Sequence, residues 1–141
     1  MCKLNPGEKI VKKAKGYISV DFDATLASYI RPWEFDKLGE PQQNLIRALR
    51  YFHSQGYHIN IFTGRLCTPK LEEWLKKSNV PYNGVNCQPC HMDLASGKPY
   101  WDCMIDDKGI NFHWKHNNKT TKELIQEINK VIGWSREGKD D

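Results

Sequence analysis

The stretch Tyr17–Thr25, with the sequence YISVDFDAT, limits the possible folds of this chain more than any other segment. Its first residues alternate between apolar and polar side chains, which is the period-two pattern of a β-strand. The strand runs into two carboxylates, Asp21 and Asp23, followed by Thr25. Acidic groups at the end of a buried strand are costly unless something positive balances them. The pattern fits a Mg²⁺ site or a carboxylate nucleophile, and it also fits a plain Asx turn.

Strand and helix patterns alternate along the rest of the chain. A helix is predicted from Pro41, as a first-turn residue, to Gly56, and Tyr57–Phe62 alternates as a second strand. A second helix over Lys70–Ser78 follows Thr68, a residue typical of an N-cap. Shorter strands are predicted around Val85, over Trp101–Ile105 and over Ile110–Trp114, and a third helix begins with the capping box Thr120–Glu123. The apolar residues of this third helix, which we expect to be buried, are Leu124, Ile125, Ile128, Val131 and Ile132.

This alternation predicts the fold class. Strands that alternate with helices pair in parallel through right-handed crossovers, so we expect an α/β protein with a three-layer, doubly wound, mostly parallel, Rossmann-like sheet. Ligands of such sheets bind at the carboxyl ends of the strands. Asp21 and Asp23 end the first strand, Thr63 ends the second, and Asp106 and Asp107 end the fourth. The sequence therefore predicts one edge of the sheet that carries all of these polar groups.

Length and composition predict one soluble domain over residues 1–141. The chain has 39% apolar and 27% charged residues, and no run approaches the roughly 20 apolar residues of a membrane span. The amino-terminal sequence lacks the apolar core of a signal peptide, so we expect a cytoplasmic protein with reduced cysteines and no membrane partner. Residues 1–15 form a basic lead-in, either a mobile arm or a segment packed on the sheet edge, and residues 135–141 form a polar tail. The net charge of +4 is too small for a dedicated nucleic-acid binder.

The motifs together resemble those of the haloacid dehalogenase (HAD) superfamily of phosphatases. Asp21–Thr25 matches the first motif of that family, Thr63–Arg65 the second and Asp106–Asp107 the fourth, while Lys98 is placed for the third. The matching segment extends from residue 17 to about residue 112. It is most similar to small, capless, hypothetical phosphatases of bacteria and phages. The resemblance implies a phosphomonoester hydrolase with Mg²⁺ as its cofactor.

The resemblance also implies a role for each residue. Asp21 would attack phosphorus and become an aspartyl-phosphate, and Asp23 would act as general acid and then general base. Thr63 would hold phosphate oxygens, and Lys98 would neutralise charge on the phosphate. The implied metal ligands are Asp21, the main-chain carbonyl of Asp23, and Asp106, with Asp107 acting through metal-bound water or orienting the loop.

Several of these residues have a second interpretation. Thr63 and Gly64 also fit a simple turn, and Thr25 fits a cap of its loop as well as a phosphate contact. Arg65 fits either a structural ion pair or a substrate contact. In place of Lys98, the third-motif lysine could be Lys70 or Lys108.

Ala24 is a departure from the family pattern, in which glycine is usual between the second aspartate and the threonine. Alanine is strained there if the position needs a positive φ. The right-handed helical region would accommodate it.

No cap domain is expected over the site. The two segments where relatives insert one are Leu26–Glu40 and Cys87–Pro99, and neither is long enough for a core of its own. An open site suits a phosphate on a bulky substrate, including a nucleic-acid end, or a nucleotide whose base stacks on aromatic side chains. Tyr29, Arg31 and Trp33 are the candidates for that contact, unless they only pack the loop onto the core.

The cysteines allow one more site. The run Cys87–His91 fits the Cys-x-x-Cys-His pattern of haem attachment, which requires export, or part of a zinc site completed by Cys103, His113 and His116. Cys103 lies within a predicted strand, where a thiol is ordinary core.

Three function classes follow from these patterns. The first is the phosphatase, with a nucleotidase or polynucleotide-end phosphatase as a variant of the same chemistry. The second is a catalytically weak nucleic-acid-binding module, which the Asp21 and Asp23 pair disfavours because two carboxylates repel phosphate. The third is a haem or thiol redox protein built on Cys87–His91.

Overall fold

The structure is a computed structural model of the chain, and it describes residues 3–4, 14–86, 101–113, 115–116 and 118–136. The chain divides into two compact units, Met1–Ile105 and Asp106–Asp141. The single-domain organisation stays a prediction. No helix within the described ranges has the length and apolar character needed to cross a membrane.

A five-stranded sheet forms the centre of the first unit. Its strands are β1 (Lys3–Leu4), β2 (Gly16–Val20), β3 (Tyr57–Ile61), β4 (Gly84–Val85) and β5 (Cys103–Ile105). They lie in the order β1-β4-β3-β2-β5, and all neighbours are parallel except β1, which runs antiparallel to β4. This mostly parallel sheet, with its helices, confirms the predicted α/β, Rossmann-like class.

The order of the parallel strands reverses beside β2. The chain moves from β2 outward to β3 and β4, and then returns to β5 on the other side of β2. Val20, the last residue of β2, is in register with Ile61 of β3 and with Ile105 of β5. The three strands therefore end level with one another at the topological switch point, which is where ligands of open α/β sheets bind.

The described residues of this unit form two helices, α1 (Gln43–Ser54) and α2 (Pro69–Lys77). Thr68 caps α2 as predicted, because its hydroxyl accepts from the Leu71 N–H at 3.3 Å. The prediction that Pro41 lies in the first turn of α1 is wrong. Pro41 instead pairs with Ala27 in an isolated bridge, and α1 begins two residues later, after its N-cap Gln42.

The core of the first unit lies between the sheet and these helices. Strand residues, helix residues and the segment after β2 contribute to it, because each element has one apolar face. Its fully buried large side chains include Phe22, Leu26, Ile46, Leu49, Ile59, Ile61, Leu71 and Leu75. Phe22 lies between Asp21 and Asp23 in sequence, so the core anchors the backbone that carries both carboxylates.

The described part of the second unit has one helix, α3 (Thr121–Arg136). Thr120 caps it, since its hydroxyl accepts from the Glu123 N–H at 3.2 Å, as the capping box predicts. The prediction that α3 buries its apolar stripe is wrong for Ile125, Ile128 and Ile132, which are 43–55% exposed. The apolar face of an amphipathic helix is buried only where another element packs against it. The predicted strand over Ile110–Trp114 is also wrong for residues 110–113, which are irregular.

Candidate active site

Asp21 leaves β2 at the switch point and begins a tight loop. Its N–H donates to the Ile105 carbonyl at 2.9 Å, which extends the β2–β5 ladder by one residue. The Leu26 N–H then donates to the Asp21 carbonyl at 3.3 Å, so the chain folds back at once. The side chain of Asp21 is half-buried, and the Thr25 hydroxyl lies 3.5 Å from its Oδ2, at the outer limit of a hydrogen bond.

Ala24 is strained in this loop, because its φ is +61°. This is the left-handed region, where a Cβ is unfavourable. The alternative that Ala24 adopts the right-handed helical region is therefore wrong, because the turn between the two carboxylates and Thr25 needs the opposite hand.

Asp23 is held by Arg65 through a two-pronged ion pair. Arg65 Nε donates to Asp23 Oδ2 and Arg65 Nη2 to Asp23 Oδ1, both at 2.8 Å. The arginine is 4% exposed and the Asp23 side chain 22% exposed. Of the two interpretations of Arg65, a structural ion pair or a substrate contact, the structure shows the ion pair.

The remaining donors of Arg65 bind the loop that follows the first motif. Nη1 donates to the carbonyls of Glu34 at 3.2 Å and Phe35 at 2.7 Å, and Nη2 donates to the carbonyl of Lys37 at 3.2 Å. The guanidinium also lies over the ring of Trp33, 4.5 Å from its centroid. All five N–H donors of the guanidinium thus have partners, which is what its burial requires.

Thr63 follows β3, as predicted, and a distant asparagine fixes its position. The Thr63 N–H donates to Asn86 Oδ1 at 2.8 Å, and Asn86 Nδ2 donates back to the Thr63 carbonyl at 2.9 Å. The Thr63 hydroxyl accepts from the Arg65 N–H at 3.1 Å, which leaves its own hydrogen to donate elsewhere. Beside it, a Cβ built on Gly64 would meet no atom within 4 Å, so this side of the loop is open.

The loop Leu26–Glu40 closes on itself beside the site. The Ser28 N–H donates to the Glu40 carbonyl and the Glu40 N–H donates to the Ser28 hydroxyl, both at 2.8 Å. Trp74 of α2 ties the loop to the body of the unit, with its Nε1 2.8 Å from the Gly39 carbonyl.

The three predicted substrate contacts lie on this loop. Tyr29 and Trp33 are exposed, and Arg31 lies 5.7 Å from the Tyr29 ring centroid. One face of Trp33 is already occupied by Arg65, so part of this aromatic set packs the loop, as the second interpretation proposes.

Asp106 and Asp107 directly follow β5 and begin the second unit. Asp106 is exposed, and its Oδ1 accepts from the Lys108 N–H at 3.2 Å. Lys108 Nζ pairs with Asp107 Oδ2 at 3.0 Å.

The third-motif lysine lies outside the described residues, since Lys98 is in the range 87–100. Of the two alternatives, Lys108 pairs with Asp107 and Lys70 lies 3.6 Å from Asp36 in a pair whose side chains are both exposed. The placement of the third motif therefore stays a prediction.

The cysteine motif Cys87–His91 also lies outside the described residues. Cys103 is described as a free, exposed thiol at the start of β5, so its interpretation as core is wrong. Within the second unit, the rings of His113 and His116 stack with centroids 4.6 Å apart.

Two residues that shape the site, Asn86 and Trp74, are not among the predicted site residues. The signal for Asn86 is its position just after a short strand, where asparagine tolerates a positive φ, and here φ is +54°. Trp74 lies within the predicted second helix, and no local pattern links it to the loop Leu26–Glu40. Both act through contacts with loops far away in sequence.

Comparisons with known proteins give the fold alone. No protein-family model and no curated protein matches the sequence. Among solved structures, a conserved protein from Bacteroides thetaiotaomicron is 21% identical with a TM-score of 0.55, over 79% of this chain and 98% of the other. A target protein from Vibrio cholerae is 25% identical with a TM-score of 0.44, over 82% of this chain and 98% of the other. The likeness to the Bacteroides protein supports the α/β architecture.

Proposed function

We propose that this protein is a Mg²⁺-dependent phosphomonoester hydrolase of the HAD type. The observation that carries the proposal is the position of Asp21 and Asp23 immediately after β2, beside the strand-order reversal, with Thr63 directly after Phe62 at the end of the neighbouring strand. A nucleophile, a proton-transfer group and a hydroxyl donor are the side chains that phosphoryl transfer needs.

In the proposed first step, a carboxylate oxygen of Asp21 attacks phosphorus. The bond from phosphorus to the leaving oxygen breaks, and Asp23 gives its proton to that oxygen. The Thr63 hydroxyl is free to donate to a phosphate oxygen, because its own oxygen already accepts from Arg65.

In the second step, Asp23 takes a proton from a water molecule that attacks the aspartyl-phosphate. The bond between phosphorus and the Asp21 oxygen breaks, which releases phosphate, restores the Asp21 carboxylate and leaves Asp23 protonated for the next cycle. One group thus serves as acid and then as base, as two-step hydrolysis requires.

The donor chemistry at the switch point fits Mg²⁺, which prefers hard oxygen ligands. Asp21, the main-chain carbonyl of Asp23, and Asp106 would hold the ion, which supplies positive charge against the phosphate. Support for Asp106 comes from the register, since Asp21 and Asp106 directly follow the paired residues Val20 and Ile105. Asp107 would act through metal-bound water or orient its loop, and Lys98 would neutralise phosphate charge.

We further propose that the site has no cap domain. The loop Leu26–Glu40 is tied down by Arg65 and Trp74, which supports an open site rather than a closing lid. The second candidate insertion, Cys87–Pro99, lies outside the described residues.

The proposal is tested with an aryl phosphate as substrate. We expect hydrolysis with Mg²⁺ and none after EDTA treatment, with recovery when Mg²⁺ is restored. Asp21→Asn should lower kcat by roughly 10⁴-fold or more, because an amide cannot attack phosphorus. The matched control is Glu73→Gln, the same carboxylate-to-amide change at an exposed residue of α2. Full activity in EDTA would remove the metal role, and near-normal turnover by Asp21→Asn would remove the nucleophile.

A further inference from the structure

The guanidinium of Arg65 makes more contacts than a residue in a turn requires. Its guanidinium is 4% exposed, and it is held by one carboxylate, three main-chain carbonyls and an aromatic ring. A group so constrained has a single available orientation. A side chain that pairs with this guanidinium is therefore held in one orientation as well.

The Asp23 carboxylate is the group that Arg65 orients. Both of its oxygens accept from the same planar fork at 2.8 Å, which fixes the plane of the carboxylate as well as its position. A carboxylate has about four lone-pair sites, and this pair uses only two of them. The Asp23 side chain keeps 22% of its surface exposed, so the remaining sites can reach a substrate or water.

We infer that Arg65 is a positioning residue that aims the Asp23 carboxylate at the leaving oxygen, and that the Trp33–Lys37 segment holds Arg65 in place. The inference rests on the proposed function. Neither Arg65 nor the Trp33–Lys37 segment touches the reacting atoms, whereas Asp23 does. Lysine cannot replace Arg65, because a single ammonium cannot make the two parallel hydrogen bonds that fix the plane.

Leaving-group dependence separates positioning from a general structural role. A nitrophenolate leaves phosphorus without a proton, whereas an alkoxide needs one from the general acid. Loss of the Asp23 orientation should therefore harm an alkyl phosphate far more than an aryl phosphate. The ratio of the two kcat/KM values, measured on one preparation, does not depend on the fraction of the protein that is folded.

The experiment compares Arg65→Lys with wild type on p-nitrophenyl phosphate and glycerol phosphate. We expect the alkyl substrate to lose about 10²-fold more kcat/KM than the aryl substrate, since general acid catalysis contributes about 10²–10⁴-fold. Arg50→Lys, a matched change at an exposed residue of α1, should leave the ratio unchanged. Trp33→Leu, at a residue that is 44% exposed, should shift the ratio in the same direction by a smaller factor and serves if Arg65→Lys does not fold.

A double-mutant cycle completes the test. Asp23→Asn should produce the same selective loss, and Arg65→Lys added to it should change the ratio no further, because the group to be positioned is already gone. Equal losses on both substrates, or additive effects in the cycle, would overturn the inference and leave Arg65 with a structural role. If wild type hydrolyses neither substrate, the proposed function itself fails, a result distinct from either of these.

Discussion

At the residue scale, two non-glycine residues beside the proposed catalytic groups have a left-handed backbone conformation. Ala24 and Asn86 both have positive φ, and each lies in a loop that carries a proposed catalytic residue. Asparagine tolerates the left-handed region because its short polar side chain can form local hydrogen bonds, whereas alanine has no such compensation. The departure of this chain from glycine at position 24 therefore has a consequence for stability.

Ala24→Gly should stabilise the protein. The left-handed conformation costs an alanine about 1–2 kcal/mol, and the greater freedom of glycine in the unfolded chain offsets about 0.5–1 kcal/mol of the relief. The free energy of unfolding in urea should rise by about 0.5–1 kcal/mol. Ala48→Gly, in the exposed face of α1, should lower it by about the same amount. A loss of stability on Ala24→Gly would show that this loop is not strained.

At the scale of elements, the loop Leu26–Glu40 behaves as a folded element although it has no regular structure. Hydrogen bonds between Ser28 and Glu40 close its ends, and Arg65 and Trp74 fix its middle and its base. The closure needs glycine at position 39, since an added Cβ would lie 1.8 Å from the Ser28 carbonyl oxygen.

Gly39→Ala should open this closure. The backbone must shift to relieve the contact, and overpacking of this kind costs about 1–3 kcal/mol of stability. Because the loop also supplies the carbonyls that hold Arg65, turnover should fall too. Gly109→Ala is the control, because a Cβ there meets no atom within 4 Å, and it should change the unfolding free energy by less than about 0.5 kcal/mol. Unchanged stability in Gly39→Ala would mean that the loop is held by other contacts.

Local signals predicted the elements well. The caps of α2 and α3, the end of α1 near Gly56 and the central strands follow from residues within a few positions of each other. The predicted start of α1 is wrong, because Pro41 pairs with Ala27, which lies fourteen residues earlier. No helix signal in the sequence reveals that pairing.

At the scale of the whole molecule, the sequence predicted which strands end in polar residues but not how their side chains are held. Parallel pairing and a ligand site at the strand ends follow from the alternation of strands and helices. The pair between Asp23 and Arg65, and the two bonds between Thr63 and Asn86, join residues that are 42 and 23 positions apart. Contacts of this kind form only in the folded sheet, so no local sequence pattern predicts them.

The most direct test of the account is to trap the covalent intermediate. Asp23→Asn protein should accept phosphate from p-nitrophenyl phosphate, whose leaving group needs no proton, but should lose it slowly because an amide cannot activate water. Peptide mass spectrometry after an acid quench should find the phosphate on Asp21, labile to hydroxylamine, and should find none in the Asp21→Asn, Asp23→Asn double variant. Hydrolysis of the substrate with no phosphate on Asp21, or with phosphate on another residue, would contradict the account.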